Sequence, residues 1–91
     1  MPASQGPGRE HGGSDIRNQI IERLGQPHST RGSVNEPRSQ EENAVRFNEK
    51  WTYHFPEDDP LGRRLRFVYW WRYDLIGVFL LMRDGEFRKE E

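Results

Sequence analysis

His54, Glu57, Asp58 and Asp59 form the one stretch of this chain where an imidazole and several carboxylates lie close together. Such a set could hold a divalent metal or act as an acid–base pair. Either task needs the groups to converge, and a metal needs further ligands. Pro56 and Pro60 interrupt the stretch, so it reads more simply as a solvated acidic loop. His11 and His28 are isolated, and Ser14, Ser29, Ser33 and Ser39 have no neighbouring base to activate them. The chain has no cysteine, which removes disulfides, thiolate ligation and a thiol nucleophile. Gly12-Gly13 follows no strand and makes no phosphate loop. No catalytic residue, metal site or cofactor is expected, and enzyme is not the leading class.

A second set carries a different chemistry. Arg46, Lys50, His54, Arg64, Arg66 and Arg72 would surround Trp70 on one face of a two-stranded sheet. Basic groups around an aromatic platform suit single-stranded nucleic acid, since charge follows the phosphates while rings stack on bases. Against this, the part of the chain after residue 43 balances nine basic with nine acidic residues, and the net charge is −1. Trp70 could also pack beneath a helix. Surface contact with a membrane through Trp70, Trp71 and nearby arginines ranks last, because rings at strand spacing read first as core.

The elements that would position these residues follow from periodicity. Val45, Phe47, Trp51, Tyr53 and Phe55 alternate with Arg46, Asn48, Lys50, Thr52 and His54, as in a half-buried strand. Residues 56–62 read as a loop. Leu65, Phe67, Tyr69, Trp71 and Tyr73 alternate with Arg64, Arg66, Val68, Trp70 and Arg72. An antiparallel hairpin that makes the aromatic faces coincide pairs Phe55 with Arg63, Trp51 with Phe67 and Phe47 with Trp71. Residues 75–82 are apolar on both parities and fit a strand buried on two sides, with a short helix as the other option. Asp84-Gly85 then turns the chain back through Phe87.

All eleven aromatic residues lie after position 43. Rings bury the most apolar area per residue, so they mark the core. The sequence therefore divides into a polar arm over 1–43 and an aromatic-rich β-unit over 44–91. Pro2, Pro7, Pro27 and Pro37, with six glycines, give the arm the composition of disorder. Within it, Ser14-Asp15 could cap a helix over 14–25 with Ile16, Ile20, Ile21 and Leu24 on one stripe and Gly25 at its end. That helix is too short to persist alone and needs something to lie against.

The expected class is α+β: a small antiparallel β-hairpin or three-stranded meander, one short amphipathic helix and a largely disordered N-terminal arm. A unit of about 48 residues without disulfide or metal needs association for stability. A non-enzymatic protein-interaction module follows, self-associating or partner-dependent, with Ile16, Ile20, Ile21 and Leu24 as the candidate partner-binding helix face. The alternative is a small RNA- or single-stranded-DNA-binding protein. No signal segment or membrane span is expected, and the absence of cysteine suits an intracellular compartment, cytoplasmic or nuclear.

Overall fold

The computed structural model describes residues 12–90. Of the arm over 1–43 expected to be largely disordered, residues 1–11 lie outside these, whereas 12–43 carry a helix and two short strands. Helix α1 runs over Gly12–Leu24, starting before the expected Ser14-Asp15 cap. Asp15 in the first turn and Arg23 in the last suit the helix dipole. Gly25 ends the helix: it adopts φ +81°, and its N–H reaches the Ile21 carbonyl at 2.7 Å.

The seven strands are β1 (Ser29–Gly32), β2 (Gln40–Glu42), β3 (Val45–Phe47), β4 (Glu49–His54), β5 (Arg63–Trp71), β6 (Asp74–Met82) and β7 (Phe87–Lys89). They form an antiparallel five-stranded sheet in the order β1-β4-β5-β6-β7, and a separate β2-β3 hairpin. The α+β class and the β4-β5 hairpin are as the periodicity predicts. The three-stranded meander is too small. Its physical reason is that β1 and β2 are short and polar, β1 exposed and β2 only half-buried, and gain their structure from strand pairing rather than from an apolar face. The boundary expected near residue 43 falls inside the β2-β3 turn. Asn43 and Ala44 both have positive φ there, 56° and 64°, as a two-residue hairpin turn of the I′ kind requires.

The hairpin register is one residue away from the expected one. Trp51 opposes Val68, Thr52 opposes Phe67, and Glu49 opposes Trp70. The cause is that both faces of the sheet are covered, so the rings divide between them. Trp51, Tyr53, Val68, Trp70 and Val78 face α1 and enclose Ile20, which is 2% exposed. Phe67 and Tyr69 face the other way, into a second cluster with Val45 and Phe47 from β3. Ile16, Ile21 and Leu24 pack against the first cluster. Burying Ile20 alone contributes about 2 kcal/mol. The Tyr53 hydroxyl donates to the Gly25 carbonyl at 2.8 Å and ties the end of the helix to the sheet.

Asn48 separates β3 from β4 and reverses the parity, so Phe47 and Trp51 lie on opposite faces despite their even spacing. Residues 74–82 are a strand, which resolves the strand-or-helix ambiguity. Two further irregularities shape β5 and β6. Arg64 and Ile76 are extra residues at register shifts, since Arg63 pairs with Met82, Leu65 with Leu81, Tyr69 with Gly77 and Trp70 with Leu75.

Candidate interaction surface

The residues expected to form one basic face do not come together. Trp70 is fully buried beneath α1, against Trp51 at 5.0 Å between ring centroids, and offers no ring to a base. Lys50 is buried at the second cluster, where its ammonium lies 2.8 Å from Glu42 and 4.9 Å from the Phe67 ring centroid. Arg66 forms a two-pronged bond to Glu90 at 2.8 and 2.9 Å. Arg46 is exposed on the β2-β3 hairpin opposite Glu41. Arg72 lies at the β5-β6 turn, whereas His54 and Arg64 lie at the other end of β5. The one-residue change of register and the helix over Trp70 dissolve the expected platform.

The helix stripe is likewise used within the chain. Ile16, Ile20, Ile21 and Leu24 all meet the sheet, Ile20 buried and the other three partly buried. Arg17 reinforces this docking. Its guanidinium carbon sits 4.9 Å from the Trp51 ring centroid, 4.8 Å from Trp70 and 5.8 Å from Tyr73. Its Nη2 lies 3.2 Å from Oε1 of Glu49, whose Oε2 accepts the Trp51 indole N–H at 2.8 Å. A helix cation thus fills an aromatic cage closed by a carboxylate.

The acidic loop also has a structural task. Asp59 accepts two guanidinium bonds from Arg63, at 2.7 and 3.0 Å, and the backbone N–H groups of Leu61 and Arg63. Those bonds hold its carboxyl well below the usual aspartate range. Glu57 and Asp58 are exposed, and among the described residues no group of three or more His, Asp or Glu side chains is placed to hold a metal.

A second polar network fixes the β2-β3 hairpin to the main sheet. Glu42 accepts from Lys50 and from the Tyr69 hydroxyl, the latter at 2.6 Å. Burial opposes ionisation of Glu42, but the Lys50 and Tyr69 bonds outweigh it and lower its pKa. Burial, then the Glu42 bond, push the Tyr69 phenol far above its ordinary range.

Surface left open lies at the β5-β6 turn. Trp71 is 36% exposed and Tyr73 48%, with Arg72 between them at φ +58°. Beside the turn, β6 has a free edge. β7 pairs only with Phe79–Leu81, and the Glu90 N–H reaches Val78, so residues 74–77 have no strand on their outer side among the described residues. Leu75 and Ile76 in that segment are half-buried. The sequence assigned Trp71 and Tyr73 to the buried face. Their nearness to the Arg72-Tyr73 turn, flanked by Asp74, was the signal that they end the strand at the surface.

Among the described residues no helix is long and apolar enough to cross a membrane. Comparison with known protein families, with curated proteins and with solved structures finds no match.

Proposed function

We propose that this chain is a non-enzymatic protein-interaction module that associates with a second copy of itself through the Trp71-Arg72-Tyr73 turn and the adjoining edge of β6. The observation that carries this reading is the outer edge of segment 74–77, which has no strand beside it among the described residues and lies next to two exposed rings. An open edge offers backbone donors and acceptors to another strand. Trp, Tyr and Arg are the side chains that most often anchor interfaces. Antiparallel pairing of the same segment in two copies is self-complementary, as a two-fold dimer needs. With a net charge of −1, little repulsion opposes it.

The size argument for association is weaker than the sequence suggested, because α1, β1 and β2 enlarge the folded unit, while α1 covers one face of the sheet and Val45 and Phe47 of β3 the other. The free edge replaces it as support. The nucleic-acid reading has less support, since Trp70 is buried and Lys50 and Arg66 are engaged by carboxylates.

Light scattering across a dilution series tests the proposal. A mass that falls toward that of the monomer on dilution is expected, and Trp71→Glu with Tyr73→Glu should yield the monomer throughout. A wild-type chain that is monomeric at every concentration would count against self-association.

A further inference from the structure

Independently of that surface, we propose that a cleft at the opposite end of β5 binds one phosphate monoester, carried as a phosphorylated side chain of a protein partner. The cleft holds about 310 Å³ and is lined by His54, Phe55, Glu57, Arg64, Leu65 and Arg83. Arg64 is the extra residue of a β-bulge, a device that re-aims one side chain out of the strand pattern. Its backbone carbonyl accepts the Phe55 N–H at 3.1 Å, while its exposed guanidinium has no hydrogen bond or ion pair among the described residues. Arg83 is held differently. Its N–H donates to the Gly62 carbonyl at 2.9 Å and its guanidinium to the Pro56 carbonyl, which positions the cation without neutralising it.

These two cations contrast with Arg63 and Arg66 nearby, which Asp59 and Glu90 satisfy. A phosphate monoester carries about −1.5 to −2 charges at pH 7 and has several acceptor oxygens, which matches two guanidiniums that line one cleft together with His54. Phe55 and Leu65 supply an apolar wall for the carbon skeleton that bears the phosphate. A nucleic-acid chain fits less well. It needs a basic track along successive phosphates. Here Arg72 is about 25 Å away along β5, Arg46 belongs to the other hairpin, and Glu57 faces the cleft with a negative charge. The cavity beside Glu36, Arg38, Ser39 and Gln40 lacks such a free cation, because Arg38 is engaged by Glu36.

Phenyl phosphate titrated into the full chain, followed by NMR signals of the arginine Nε–H groups and the His54 ring, tests this. Saturable shifts at Arg64, Arg83 and His54 are expected. Arg64→Ala should weaken binding about tenfold or more, Glu57→Gln should tighten it, and Arg46→Ala should leave it unchanged. Absence of saturation, or equal affinity in Arg64→Ala, would overturn the proposal. So would a single-stranded oligonucleotide that binds more tightly than phenyl phosphate with a steep salt dependence, which would mark a nucleic-acid site instead.

Discussion

The side-chain carbonyl of Asn48 accepts the backbone N–H of Arg72 at 2.8 Å, joining the break between β3 and β4 to the turn after β5. The same side chain donates to the Glu36 carbonyl at 3.3 Å. Its backbone N–H donates to Trp70 at 3.0 Å, and its carbonyl accepts from Ser33 at 2.9 Å. Asn48 is fully buried, so each bond replaces one that water would otherwise make. Asn48→Ala should lower stability by about 2–3 kcal/mol, measured by denaturant unfolding, because the Arg72 N–H and the Glu36 carbonyl lose their partner together.

Arg17 and Glu49 make a second structural test. Arg17→Ala leaves Glu49 without its cation and opens the aromatic cage, with an expected loss of about 2–4 kcal/mol. The double variant Arg17→Met, Glu49→Gln should be more stable than Arg17→Ala alone, since no buried charge is then left unpaired. A double-mutant cycle in urea measures the coupling.

Two glycines should respond differently to alanine. At Gly32, φ is +76° and a β-carbon would sit 2.2 Å from the Asn48 carbonyl oxygen. Gly85 has φ +94° but open space around it. Gly32→Ala should therefore cost roughly 2–3 kcal/mol or more and Gly85→Ala only about 1 kcal/mol, read from unfolding midpoints.

Much of the local structure was legible in the sequence, while its three-dimensional pairing was not. Alternation located β4 and β5, and the apolar run with good strand formers located β6. The stripe Ile16, Ile20, Ile21 and Leu24, with Gly25, located α1. The register is not legible because alternation by itself implies one buried face and one wet face. In a sheet covered on both sides, Trp51 and Phe67 need not share a face, and Asn48 reverses the parity that would otherwise link Phe47 to Trp51. β1 and β2 carried no apolar pattern, since their order comes from hydrogen bonds to β4 and β3. The candidate basic face failed with the register. The Arg64 bulge left no trace in residue types, because it is a mismatch between two strands rather than a property of either.

Acid should destabilise the chain in part through Asp59 and Glu42. An unfolded aspartate titrates near 3.9, and Arg63 holds folded Asp59 far lower. Its stabilising contribution is therefore complete above about pH 5 and is lost as the pH falls through the unfolded value toward the folded one. Glu42, lowered by Lys50 and Tyr69 against the opposing effect of burial, acts with the same sign. Asp59→Asn should flatten the acid limb of a plot of unfolding free energy against pH. Tyr69 has the opposite sign: its raised pKa contributes stability that is complete below about pH 10 and disappears only in strong alkali.

The most direct test of association through β6 is amide hydrogen exchange at residues 74–77, measured at two protein concentrations. Protection that rises with concentration in this segment, and is abolished by Trp71→Glu with Tyr73→Glu, is the predicted result. Exchange in 74–77 that is fast and independent of concentration, in a sample shown by light scattering to be oligomeric, would contradict the account and place the contact elsewhere.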